Sequence, residues 1–100
     1  MPQGTIIINF AGNSISAKVL LTWQTASEHN NKGFDMERRL SIPRKCSKIG
    51  FVAGAGTSYK PRDYSFIDTK TRKVRTYIYR LKQLNTNGSF IYSSEVSVKK

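Results

Sequence analysis

Few residues in this sequence could do covalent or metal chemistry: one histidine, His29, one cysteine, Cys46, and six acids among 100 residues. A hydrolase or transferase site needs a nucleophile beside a base, or two carboxylates converging on one bond. His29 directly follows Glu28 in a polar run and has no second histidine with which to share a metal, so it reads as an exposed loop residue. Cys46 has no cysteine partner, which excludes an internal disulfide and any cysteine-clustered zinc site. Gly54, Gly56 and Thr57 hint at a phosphate loop, but the lysine and helix such a loop requires are missing, so turn glycines are expected. Asn87-Gly88-Ser89 matches a glycosylation sequon and reads first as a hairpin turn. Asp63 and Asp68 are too few for a calcium cage. The expectation is a non-catalytic chain with no cofactor and no metal.

Glu28 stands out because of its neighbours. Thr25, Ser27, Asn30 and Asn31 surround it, all able to bond to backbone groups, and Gly33 closes the run. A polar loop of this length must satisfy its own hydrogen bonds. Glu28, Asn30, Asn31 and Gly33 are therefore expected to structure the loop, with ligand binding by Glu28 as the alternative.

The charge is lopsided: 17 Lys and Arg against six Asp and Glu, formally +11. Such a balance concerns solubility and attraction for polyanions rather than fold. The cations cluster in two places, Arg38, Arg39, Arg44 and Lys45 near one turn, and Lys70, Arg72, Lys73 and Arg75 in one loop. The plain reading is a solvated surface. The sharper one is a carbohydrate- or polyanion-binding site formed by these two loops. Dedicated nucleic-acid binding is not expected, because no exposed aromatics interleave these charges and no recognition helix is available.

Period-two alternation dominates the chain, and no helical stripe appears. Strands are expected at residues 5–10, 15–25, 34–39, 46–53, 64–68, 76–84 and 89–98. Turns are expected at Gly12, Asn13 and Ser14, at residues 41–45 with Pro43, and at Asn87-Gly88, with polar loops at 26–33, 54–63 and 69–75. Seven short strands with regular turn signals point to an all-β Greek-key β-sandwich, with a small barrel as competitor. The expected core is Val19, Leu21, Trp23, Phe34, Met36, Ile49, Phe51, Phe66, Tyr77, Tyr79 and Leu81. No apolar stretch is long enough to span a bilayer.

Three strings, LTWQTASEHNNKGFDMERR (residues 21–39), KIGFVAGAGTSYKPRDYSFID (48–68) and YIYRLKQLNTNGSFIYSSEVSV (77–98), together cover most of the chain. They resemble the fibronectin type III-like domains of Bacteroidota and related phyla. The resemblance implies one immunoglobulin-like sandwich over residues 5–98, preceded by a short extension, residues 1–4. It implies a spacer, stalk or presentation module of a larger exported or cell-surface protein, of the kind preceding a C-terminal sorting domain for type IX secretion. Residues 1–4 have no signal-peptide character, so the chain is expected to be a piece of such a parent. The implied partners are neighbouring domains of that parent.

The same resemblance makes Trp23 the core tryptophan of the second strand. It makes Tyr77 the tyrosine whose hydroxyl bonds to backbone at the loop before the sixth strand, with Tyr79 and Leu81 inward beside it. The Leu-x-Pro that accompanies this tyrosine is missing here. Residues 40–46 also depart from the pattern, and Cys46 is expected in an aromatic's inward slot as a small buried hydrophobe. Finally, the topology would bring both basic clusters to one pole, opposite Glu28. Such a pole suits anionic polysaccharide or lipopolysaccharide.

Overall fold

The computed structural model describes residues 4–42 and 44–100; the expectations for residues 1–3 and for Pro43 lie outside the described residues. Seven strands follow one another: β1 (Ile6–Ile15), β2 (Lys18–Leu40), β3 (Ser47–Ser58), β4 (Arg62–Asp68), β5 (Thr76–Asn85), β6 (Phe90–Tyr92) and β7 (Val96–Lys99). They form two antiparallel sheets sharing β2. Its first half lies between β1 and β4, and its second half lies between β3 and β5. β5 is in turn lined by β6 and β7. The result is a seven-stranded Greek-key β-sandwich.

β2 departs most from expectation. Residues 26–33 are extended and paired to neighbouring strands, so the expected loop is ladder: Ser27 faces Ile6, Glu28 faces Ser58, and Asn31 faces both Gly56 and Asn85. Register shifts at Glu28, Asn31 and Gly33 carry the chain from one sheet to the other. The polar side chains bond to one another, which frees the backbone to pair. Lys18 and Leu40, at the two ends of β2, therefore finish at the same end of the sandwich.

Alternation determines the core. Val19, Leu21 and Trp23 from the first sheet meet Phe34, Met36, Tyr77, Tyr79 and Leu81 from the second, all buried. Trp23 stacks on Tyr64 with ring centres 5.7 Å apart and meets Phe34 edge-on at 5.4 Å, geometries aromatic pairs favour. Ile49 and Phe66 pack against this cluster, half-buried.

Phe51 does not join the core: it is 43 % exposed. Met36 faces Gly50 and Glu37 faces Lys48, so Ile49 is the extra residue of a bulge. One extra residue inverts the alternation beyond it, and Val52 takes the inward place. The Phe51 ring instead lies over Gly33, where a Cβ would come within 2.4 Å of it. Cys46 also differs, being only half-buried and placed just before β3.

The expected turn at Gly12, Asn13 and Ser14 is strand, and the reversal falls at Ser16 and Ala17 with Ser16 at φ 54°. Gly12 serves close packing, since a Cβ there would sit 2.7 Å from Val98. The expected last strand is broken. Ser93 Oγ accepts from the Leu81 amide at 2.8 Å, displacing a ladder carbonyl and separating β6 from β7. In the β5–β6 hairpin Gly88 N donates to Asn85 O, and positive φ is confined to Gly88.

Candidate functional site

Asp68, the last residue of β4, is buried at one end of the sandwich. Its carboxylate crosses the interior to the other sheet. Arg38 Nη1 and Tyr79 Oη each donate to Oδ2 at 2.7 Å, and the Lys70 amide donates to Oδ1 at 3.1 Å. Burial pushes the Asp68 pKa up, but the bonds from Arg38, Tyr79 and Lys70 outweigh it and hold the carboxyl below the usual range. Burial and the adjacent carboxylate push the Tyr79 phenol up, so it stays a donor.

Around this anchor the basic residues gather. Arg38, Arg39, Lys45, Lys70, Arg72 and Arg75 line one open groove of about 460 Å³, with Tyr77 among them. The Arg72 amide donates to Tyr77 Oη at 2.8 Å, which holds the loop of residues 69–75 against β5. The Arg38 guanidinium lies 5.1 Å over the Tyr77 ring. On its far side Thr71 Oγ1 donates to Ala17 O at 2.6 Å, joining that loop to the β1–β2 turn. Three loop regions thus meet at one end because β2 returns to it.

The cations in the groove are of two kinds. Arg38 is paired with Asp68, and Arg39 with Glu95 at 3.1 Å. Lys45, Lys70, Arg72 and Arg75 have no carboxylate partner among the described residues. Of the eight basic residues singled out from sequence, Arg44 and Lys73 are exposed and do not line the groove. The arrangement concentrates positive charge on one open surface. Among the described residues, no cluster of three or more His, Cys, Asp or Glu side chains could hold a metal.

Glu28 lies at the opposite end, 1 % exposed. Thr25 Oγ1 and Tyr64 Oη donate to Oε2, and Asn31 Nδ2 and the Ala55 amide donate to Oε1 at 2.8 and 2.9 Å. Burial raises its pKa, and these four donors outweigh it, so it lies below the usual range. Asn31 Oδ1 accepts from Gln83 Nε2 at 2.8 Å, extending the network to β5. Asn30 sits at φ 49°, and its carbonyl accepts from the Thr86 amide. Gly33 brings β2 within reach of β3, since a Cβ there would lie 2.5 Å from Val52 O. Every carboxylate oxygen of Glu28 is occupied by protein donors. His29 is half-buried beside it, with Asn30 Nδ2 3.3 Å from its Nε2.

Sequence reasoning missed one cationic group. Arg80 lies 3.8 Å over the Tyr92 ring and Lys82 4.1 Å over the Phe90 ring, on the outer face of β5 and β6. Alternation along β5, which buries Tyr79 and Leu81, already places Arg80 and Lys82 outward.

No family model matches the sequence, and no curated protein matches it. Solved structures do match the fold. A fibronectin type III-like protein from Clostridium thermocellum superposes with TM-score 0.62 at 16 % identity, over 96 % of this chain and 86 % of that one. The fold is fibronectin type III-like. A myokine matches with TM-score 0.72 at 15 % identity, covering 98 % of each chain. Pectate lyase PelI from Erwinia chrysanthemi, in complex with tetragalacturonic acid, matches with TM-score 0.70 at 18 % identity. There the match covers 96 % of this chain but only 28 % of the lyase. The matching region thus makes up most of some of these solved chains and about a quarter of others. The partial, low-identity matches to enzymes are likenesses of fold and carry no catalytic assignment. No helix among the described residues is long and apolar enough to cross a membrane.

Proposed function

We propose that this chain is a non-catalytic module of a larger exported bacterial protein, spacing or presenting neighbouring domains, and that its basic end makes contact with anionic polysaccharide. One observation carries the polysaccharide contact: Lys45, Lys70, Arg72 and Arg75 converge on one groove without carboxylate partners among the described residues. Like charges gathered without neutralisation repel one another, and a bound polyanion relieves that repulsion. The groove is open, which suits an extended chain passing across it rather than an enclosed small molecule. The non-catalytic reading is supported by how the buried acids are used. Asp68 and Glu28 are both saturated by protein donors, leaving neither free as an acid or base. The pectate-lyase likeness supports a modular role, since the chain spans 28 % of PelI, which is described with an acidic oligosaccharide.

The test is calorimetric titration with oligogalacturonate, a sulfated glycan and a neutral oligosaccharide of equal length. Binding to the two anionic chains, with the logarithm of the affinity falling linearly against log salt concentration, is expected, as for a contact that releases counterions. The combined K45Q, K70Q, R72Q and R75Q variant should keep the fold and lose most of that affinity. Equal binding of the neutral chain, or full binding by the quadruple variant, would overturn the polysaccharide contact. Lipopolysaccharide presents comparable anionic groups and is a further arm of the same titration.

A further inference from the structure

β6 is the end strand of its sheet and, among the described residues, pairs on one side only, with β5. Its three residues, Phe90, Ile91 and Tyr92, are all large, apolar and 46–48 % exposed. Natural sheets protect such edges with lysine, proline or a covering loop, because a bare apolar edge templates another strand. β6 holds neither lysine nor proline, and its length of three residues limits an added segment to a short one.

The ladder gives this edge a polarity. The Ser93 amide donates to Leu81 O at 2.9 Å, so antiparallel alternation turns the backbone groups of Tyr92 and Phe90 away from β5, toward the open side. Side chains alternate as well. Ile91 faces the buried Gln83, and with Ile7 and Phe10 of β1 it borders a slot of about 300 Å³ between the two sheets. Phe90 and Tyr92 point to the outer face, beneath Lys82 and Arg80. Arg80 is paired with Glu37, whereas Lys82 has no carboxylate partner among the described residues.

We infer that the open edge of β6 is a strand-addition site for an extended segment of a partner protein whose side chains alternate apolar and acidic. Its backbone extends the sheet through the outward groups of Phe90 and Tyr92. Its apolar side chains enter the slot beside Ile91, Ile7 and Phe10, and its acidic ones lie over the outer face within reach of Lys82. A second copy of this chain is disfavoured as the occupant, since two chains of charge +11 repel. Main-chain bonds supply affinity in this mode, and alternate side chains supply specificity.

The probe is a capped peptide alternating valine and glutamate, compared with one of identical composition arranged in two blocks. Amide chemical shifts of the isotope-labelled chain are followed during titration. The alternating peptide should perturb Phe90–Tyr92 and the slot residues Ile7 and Phe10, binding at least about tenfold more tightly than the block peptide. I91K places a charge in the slot and should abolish this binding while the amide spectrum stays dispersed. K82E should weaken the acidic peptide and strengthen one alternating valine and lysine. Equal binding of both acidic peptides, with perturbations at residues 69–75, would mean capture by the basic groove and would overturn the proposal. So would unaltered binding by I91K, or a concentration-dependent dimer formed through β6.

Discussion

Tyr79 Oη, on β5, donates to Asp68 Oδ2, on β4, at 2.7 Å across the interior of the sandwich. The bond joins the two sheets at the same carboxylate that neutralises Arg38. It couples the core to the basic groove, because Arg38 is both a groove wall and a partner of that buried acid.

Removing one side of this link leaves the other unsatisfied in a buried setting. Tyr79→Phe should cost about 1–3 kcal/mol, the penalty for a lost buried hydrogen bond. Asp68→Ala should cost more, about 3–5 kcal/mol, since it also strands Arg38 and the Lys70 amide. The double variant should cost less than the sum, because both changes break one network. Urea unfolding of the three variants measures each value; strict additivity would mean that the residues act independently.

Acid should destabilise the chain through Asp68 and Glu28 together. Both carboxyls have folded pKa values below their usual range. Their contribution is therefore present above the unfolded value of about 4 and is lost as pH falls through the lowered folded values. Thermal melts of the parent chain should show stability dropping below about pH 4, and E28Q and D68N should each flatten that drop. A drop of equal steepness in both variants would place the acid sensitivity elsewhere.

Trp23 and Phe51 make a contrasting pair of aromatics. Trp23 is 1 % exposed and contacts Phe10, Phe34 and Tyr64, so Trp23→Ala should cost about 3–5 kcal/mol. Phe51 is 43 % exposed on the far side of a bulge, and Phe51→Ala should cost about 1 kcal/mol or less. Denaturant midpoints of the two variants check the bulge directly, because without it Phe51 would be the core residue.

Gly33 and Gly56 should respond to alanine for different reasons. At Gly33 a Cβ meets Val52 O at 2.5 Å, a backbone atom that cannot step aside. Gly33→Ala should cost about 1–3 kcal/mol through overpacking. At Gly56 nothing lies within 4 Å, and only the φ of 73° opposes a side chain. Gly56→Ala should cost about 1 kcal/mol, the penalty of a left-handed conformation. A larger loss at Gly56 than at Gly33 would contradict this ordering.

The sequence by itself determined the fold class, most strand positions and the inward faces. Val19, Leu21 and Trp23 on one strand, and Tyr77, Tyr79 and Leu81 on another, obey a two-residue period that only a half-buried strand requires. It also determined that the cations cluster, since clustering along the chain is visible without coordinates. Tertiary structure decided what local pattern cannot carry. A single bulge at Ile49 moved Phe51 outward, and periodicity gives no sign of where a ladder slips. Residues 26–33 read as loop because they are polar, yet Glu28 found donors on β2, β3 and β4 that only folding assembles. The groove depended in the same way on the return of β2, which brings Arg38 beside Asp68, thirty positions later in the chain. Which cations stay unpaired there, and which edge stays open at β6, are properties of contacts between distant segments; the chain order alone does not encode them.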